Sequence, residues 1–186
     1  DRPKEVELVD PKSGCSPLWL AAARGHVDVC RALLNIKASL QKVPSCKHAP
    51  VDAAIHFKRV KVVSLFLQER MDPNTLTQHR GPLLRAAIQG CSLDICRVLL
   101  SAKARVEGSA AKNIESSLHV AVTHRALSTD LIQLLLGHKA DPDNPGAVCR
   151  QPPLISLIRG PATDTGRVCE VVGTLCRAKA SLEGTA

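Results

Sequence analysis

Aromatic residues are scarce in this chain of 186 residues: they make up 2%, namely Trp19, Phe57 and Phe66, and there is no Tyr. So few rings argue against an aromatic-rich β-sandwich, a carbohydrate-binding groove, and a sheet that stacks RNA bases. Apolar residues reach 45% and charged residues 23%, which is typical of a globular protein. The length predicts one domain.

The sequence also lacks long apolar runs, an initiator Met and closely paired cysteines. It has no apolar stretch of about eighteen residues, which predicts no membrane span. The charged start has no signal-peptide core. Because the sequence has no initiator Met, we expect a processed protein or a part of a longer one. The eight Cys form no C-x-x-C pair, which argues against a disulfide framework in a chain of this size.

Five segments of similar sequence follow one another along the chain. Their turn position recurs at intervals of 33, 32, 35 and 36 residues, at Pro17, Pro50, Pro82, Ser117 and Pro153. This spacing predicts repeats at about 14–45, 46–78, 79–113, 114–148 and 149–186, which together form a repeat domain over 14–186. Residues 1–13 are expected to be an N-terminal segment or a partial cap.

The first segment illustrates the physical basis of each unit. Ser16 can cap a helix, and Pro17 fits its first turn, where a missing N–H costs nothing. Gly25 suits a left-handed exit from that helix. A second helix then carries one apolar stripe, at Val29, Cys30, Leu33 and Leu34. Because such a short helix pair cannot bury its own apolar face, the pairs are expected to stack into a continuous core.

Residues Ser16 to His26 resemble the ankyrin-repeat family, whose pattern is T-P-L-H-x-A-A-x-x-G-H followed by V-V-x-x-L-L, about every 33 residues. The resemblance extends, less closely, over about residues 14–183. It implies an all-α solenoid of helix-turn-helix units with short hairpin-like finger loops. It also implies a non-catalytic module that binds another protein through its concave surface and fingers.

Several positions depart from the family pattern. Its His is retained only as His119, while the other units carry Trp19, Asp52, Arg85 and Ile155. Hydrogen bonds between repeats must therefore be replaced, and Trp19 is expected in semi-buried packing or, alternatively, in a partner contact. We expect insertions of about one, two and six residues between the helices of the third, fourth and fifth units. Neither end has a clear cap, so the chain continues or a partner covers the end.

The reactive side chains form no catalytic pattern. Cys30 and Cys96 share a repeat position and Cys176 stands at a Leu position, so we interpret all three as core thiols. Cys46 and His48 could suggest a zinc site, but their spacing is not that of a zinc finger. No nucleophile elbow, zinc-protease motif or phosphate-binding loop is present. The sequence therefore predicts no cofactor, no metal and no enzyme activity.

Positive charge is concentrated in the first three units. Residues 1–114 hold 18 Lys and Arg against 10 Asp and Glu, whereas residues 115–186 hold 7 of each, so the formal net charge of +8 arises entirely in the first part. One cation recurs near the end of each second helix, at Lys37, Arg70, Lys103, Lys139 and Lys179. These cations either complement the helix macrodipole or form a stripe that faces an acidic partner or phosphate groups.

The partner-binding positions implied by the resemblance are finger and inner-helix sites. With neighbouring cations, they are Arg24, His48, His56, Phe57, Lys58, Arg59, Arg80, Gln89, Glu115, His124 and Gln151. Phe57 is the expected apolar anchor, and Arg24, Lys58, Arg59 and Arg80 are expected around it. An apolar anchor with a cationic rim predicts a partner protein with an acidic, partly apolar surface.

Two settings remain open for this interaction module. It is an adaptor or scaffold, or else a peripheral structural subunit of a large stable assembly. Binding of nucleic acid or anionic lipid by the basic half is a third, less favoured class, because single-strand binders interleave aromatics with their cations. We expect an intracellular, reducing compartment, the cytoplasm by default, or a plastid or mitochondrion after removal of a targeting segment.

Overall fold

A computed structural model describes residues 9–41, 43, 45–46, 48–77, 81–108, 115–124, 128–144, 150–160 and 164–178. The chain divides into two compact units, residues 1–103 and 104–186. Apart from one two-stranded hairpin, the regular elements of these residues are helices. The predicted all-α arrangement of paired helices is confirmed for these residues.

The first unit contains three pairs of helices. Its helices are α1 (Pro17–Arg24), α2 (Val27–Asn35), α3 (Pro50–His56), α4 (Val60–Gln68), α5 (Leu83–Gln89) and α6 (Leu93–Ser101). The first helices of the pairs pack side by side, α1 on α3 and α3 on α5, and the second helices do the same, α2 on α4 and α4 on α6. The small side chains of Ala53, Ala54, Ala86 and Ala87 are buried and let the first helices approach closely.

A short hairpin precedes α5, as predicted for a finger loop. Its strands are β1 (Leu76–Thr77) and β2 (Gly81–Pro82), which pair antiparallel with Leu76 opposite Pro82. The Thr77 hydroxyl donates to the Gly81 carbonyl at 2.7 Å and reinforces the pairing.

The second unit contains two pairs of helices. They are α7 (Ser117–Thr123) with α8 (Thr129–Gly137), and α9 (Pro153–Arg159) with α10 (Thr165–Arg177). Within this unit α7 packs on α9, and α8 packs on α10. His119 of α7 is 2% exposed, and its burial lowers the pKa of the imidazole, an effect that the Glu115 charge opposes.

Side-chain caps begin several helices where the sequence supplies an oxygen. The Ser16 hydroxyl accepts the Trp19 N–H at 3.2 Å, and the Ser116 hydroxyl accepts the His119 N–H at the same distance. Each bond satisfies an N–H that has no partner inside its helix. The predicted cap at Ser16 is thus confirmed, and Ser116 is its equivalent in the second unit.

Two of the expected insertions are corrected by the helix boundaries. Pro82 precedes α5 as its N-cap, and α6 begins 10 residues after α5, just as α2 follows α1 and α4 follows α3, so the third unit has no insertion. In the fifth unit α10 has 13 residues, whereas α8 has 9. Four of the six inserted residues therefore lengthen a helix, because Asp164 caps it early by accepting the Arg167 N–H.

The recurring cations lie at the ends of the second helices in left-handed conformation. Lys37, Arg70, Lys103 and Lys139 have φ values of 64°, 62°, 66° and 64°, and Lys179 lies outside the described residues. The Lys37 N–H donates to the Leu34 carbonyl and the Ala38 N–H to the Leu33 carbonyl, which is a Schellman ending. Their position at helix C-termini fits the macrodipole interpretation.

The left-handed conformation is strained for a residue with a Cβ, and this gives a stability prediction. Lys103→Gly should raise the free energy of unfolding by about 0.5–1 kcal/mol, because relief of the strain exceeds the entropy that Gly gains in the unfolded chain. Arg97→Gly is the control: it places the same residue in the middle of α6 and should cost about 1 kcal/mol. Urea unfolding measures both, and a loss of stability in Lys103→Gly would contradict the prediction.

The buried thiols agree only in part with the sequence interpretation. Cys30 and Cys96 are both 0% exposed, and burial raises their pKa to about 11 and about 12. They are core residues, as predicted. Cys176 is exposed, so its assignment to the core is wrong. It belongs to α10, whose buried face instead carries Val171, Thr174 and Leu175.

Candidate partner-binding groove

A groove of about 380 Å³ runs across the first helices of the first unit. All three of these helices contribute to it, together with residues of the finger loops. Its lining consists of Trp19, His48, Asp52, Ala53, Ile55, His56, Phe57, Thr77, Ala86 and Gly90. The groove is mainly apolar, and its volume lies within the usual range for binding pockets.

Phe57 reaches the groove because α3 ends just before it. The residue is the C-cap of α3 and is 44% exposed, an unusual exposure for a large apolar side chain. Its ring stands edge-on to the ring of His56, with the centroids 4.9 Å apart and the planes at 86°. The two rings form an aromatic surface at one end of α3.

Trp19 brings a second large ring into the same groove. Its side chain is half-buried in α1, and its indole Nε1 is buried with no hydrogen-bond partner among the described residues. Buried indole N–H groups usually have an acceptor, so this one stands out. The sequence left open whether the Trp19 ring packs inside the fold or contacts a partner. In the structure this ring lines the groove.

Asp52 supplies the one carboxylate of the groove lining. Its Oδ2 accepts the Ala49 N–H at 3.0 Å and thereby caps α3. This residue holds the family His position, so the substitution trades a side chain that links turns for one that caps its own helix. The carboxylate is held at the helix N-terminus, where the macrodipole favours it.

Three of the predicted binding residues line the groove, namely His48, His56 and Phe57. Arg24 and Lys58 are exposed outside the lining, and Gln89 is half-buried at the end of α5. Arg80 lies outside the described residues. The structure therefore brings His48, His56 and Phe57 together, whereas Arg24 and Lys58 lie outside the lining.

Arg59 makes a hydrogen bond within the folded unit, which its sequence position did not predict. Its Nε donates to the Ala23 carbonyl at 2.9 Å and so joins the first two repeats. A Cβ on Gly25, which has φ of 82°, would come within 2.9 Å of the Arg59 Cδ. Arg59 thus supplies a hydrogen bond between the first two repeats, and the absence of a Cβ on Gly25 leaves room for its side chain.

The remaining predicted residues belong to the second unit. Glu115, His124 and Gln151 are half-buried there. Glu115 lies close enough to His119 for its charge to raise the pKa of the imidazole, against the larger effect of burial. Their part in partner binding stays a prediction.

A second groove, of about 260 Å³, lies beside the finger loops of the first unit. Met71, Thr75 and Leu76 line it, together with Leu40 and Val51. Leu76 in β1 is 57% exposed, more than Phe57. Neither composition nor spacing singled it out, because an apolar residue in a strand ordinarily points into a core.

The described residues include no group of three His, Cys, Asp or Glu side chains that could hold a metal ion. Nor do they include a helix long and apolar enough to cross a membrane.

Comparison with known proteins finds a family match for part of the chain. A family model described as ankyrin repeats, in three copies, matches residues 2–77. Among curated proteins, no sequence matches the chain. The solved structure of the human ASB11 ankyrin repeat domain is similar, with a TM-score of 0.69 and 22% identity over 91% of this chain and 72% of that one. In all, 419 chains of solved structures match, so the fold is widely shared.

Proposed function

We propose that the first unit binds a partner protein in the groove lined by Trp19 and Phe57, since residues 2–77 match ankyrin repeats, which generally act as protein–protein interaction modules. The groove is a mainly apolar recess of that unit, and two of the three large aromatic side chains of the sequence line it. Aromatic residues in partly desolvated recesses are the usual energetic centres of protein interfaces. This convergence of Trp19 and Phe57 carries the proposal.

The partner segment is acidic and partly apolar. Its apolar side chain packs between the Phe57 and Trp19 rings, and its carboxylates face the exposed cations Arg24 and Lys58. Long-range electrostatic attraction also favours an acidic partner, because the formal net charge of +8 arises in residues 1–114. Asp52 is the one negative charge of the lining, and its Oδ2 accepts the Ala49 N–H at the start of α3.

Catalysis is not part of the proposed role. Ankyrin repeats typically hold other proteins in place, and the groove contains one carboxylate, two imidazoles and no thiol. Membership in a larger stable assembly would use the same kind of surface and stays a prediction, as does the compartment.

Selection from a random peptide library on the immobilised chain tests this function. We expect enriched peptides to combine Asp or Glu with one large apolar residue and to compete with one another for a single site. Their affinity should fall only moderately with salt, because rim charges act mainly on association. A fluorescent DNA duplex is the parallel probe. If DNA binds more tightly than any selected peptide and dissociates steeply with added salt, the protein-binding proposal fails.

A further inference from the structure

Two cysteines from consecutive repeats meet in the finger loops of the first unit. The Sγ atoms of Cys15 and Cys46 are 2.7 Å apart, although 31 positions separate the residues. Both side chains are buried, at 6% and 5% exposure. A covalent S–S bond is about 2.05 Å long, so the two sulfurs are unbonded but adjacent, and either thiol can donate a hydrogen bond to the other.

The surrounding backbone holds the two loops together independently of the sulfurs. The Ser45 hydroxyl donates to the Gly14 carbonyl at 2.6 Å, and these residues immediately precede the two cysteines. Gly14 has φ of 66°, and a Cβ there would come within 2.9 Å of the Ser45 carbonyl oxygen. Each loop is also closed locally, because the Asp10 N–H donates to the Cys15 carbonyl and the Cys46 N–H to the Val43 carbonyl.

We propose that Cys15 and Cys46 are a redox modification site that closes into a reversible intramolecular disulfide when a small-molecule disulfide is available as oxidant. One thiolate attacks the oxidant, breaks its S–S bond and releases one small thiol. The second thiolate then attacks the mixed disulfide, forms the Cys15–Cys46 bond and releases the other small thiol. The two cysteines lose two electrons and two protons, and the oxidant is reduced to two thiols.

Burial makes this exchange slow near neutral pH. Burial raises the pKa of the Cys15 thiol to about 11, and the hydrogen bond with Cys46 contributes in the same direction to a smaller extent. Because Cys15 must act as a thiolate in one of the two steps, cross-linking should accelerate as the pH rises toward that value. The exposed thiols Cys91, Cys169 and Cys176 should instead accept glutathione as mixed disulfides.

The bond would fasten the first finger loop to the second. Closing a loop of this length removes freedom mainly from the unfolded chain, and should raise the Tm by roughly 5–10 °C. The proposal concerns a single bond and does not require the disulfide framework that the sequence argued against.

Peptide mapping of the full chain after exposure to oxidised glutathione tests the proposal. Free thiols are alkylated, and trypsin is expected to yield a linked pair of peptides, Ser13–Arg24 and Val43–Lys47. Dithiothreitol should remove both the link and the rise in Tm. Cys46→Ser should abolish both effects, whereas the matched control Cys91→Ser should retain them.

Two results would overturn the proposal. One is recovery of both peptides unlinked when Cys91 is fully glutathionylated. The other is a link that forms only in denaturant, which would mean that the folded loops keep the sulfurs apart. Mapping of the unmodified sequence decides between these outcomes even if a Ser variant fails to fold.

Discussion

Replacing Phe57 with Ala should weaken binding of the selected acidic peptides by about tenfold to a hundredfold, which corresponds to about 1.4–2.7 kcal/mol. The expected loss is large because the Phe57 ring is 44% exposed in the free protein and would be buried by the partner. The same substitution should lower the free energy of unfolding by less than about 1 kcal/mol, since few native contacts are lost. Fluorescence anisotropy and urea unfolding measure the two quantities.

Val29→Ala is the matched control for this prediction. Val29 is 49% exposed on α2, and it does not belong to the groove lining. Truncating it should leave peptide affinity unchanged within about twofold. Equal losses in the two variants would mean that the peptides recognise another surface. Unchanged affinity in Phe57→Ala would remove the groove from the proposal.

Phe66→Ala should have the opposite pattern, with a loss of about 3–5 kcal/mol in the free energy of unfolding. Phe66 is 0% exposed in α4, which packs on both α2 and α6. Truncation loses the transfer free energy of the buried ring. It also leaves a cavity that the three surrounding helices can fill only in part. In a stacked array each repeat also supports its neighbours, so the loss should affect the whole first unit.

Urea unfolding followed by circular dichroism measures this loss, with Phe66→Leu as the control. Leu retains much of the volume and should cost less than about 1.5 kcal/mol. Peptide affinity should be retained in Phe66→Leu, because Phe66 does not line the groove. A cost in Phe66→Ala as small as that of Phe57→Ala would show that α4 is not packed as described.

Most of the fold is encoded locally and could therefore be predicted from the sequence. Capping serines, a proline at the first helical turn and apolar stripes at helical spacing are short-range signals, and they recur in register. Pro17 and Pro50 begin α1 and α3 at the predicted turn position. The predicted boundaries failed where two signals compete: Pro82 serves as an N-cap and Asp164 starts α10 early.

The groove could be predicted only in part. His48, His56 and Phe57 were placed by their position within the repeat, because equivalent positions in stacked repeats face the same side. Trp19 was ambiguous, since an aromatic ring at that position could pack or bind. Arg59 was assigned to partner binding, although its Nε donates to the Ala23 carbonyl, an acceptor 36 residues earlier.

The sequence by itself determined the repeat period, the helix type, the exposed position of Phe57 and the location of the positive charge. Only the tertiary structure decided which loops meet. Cys15 and Cys46 do not share a repeat position, yet their Sγ atoms lie 2.7 Å apart. Helices depend on neighbours three or four residues away, whereas this contact depends on how two stacked repeats fix their finger loops, and no short-range pattern records that distance.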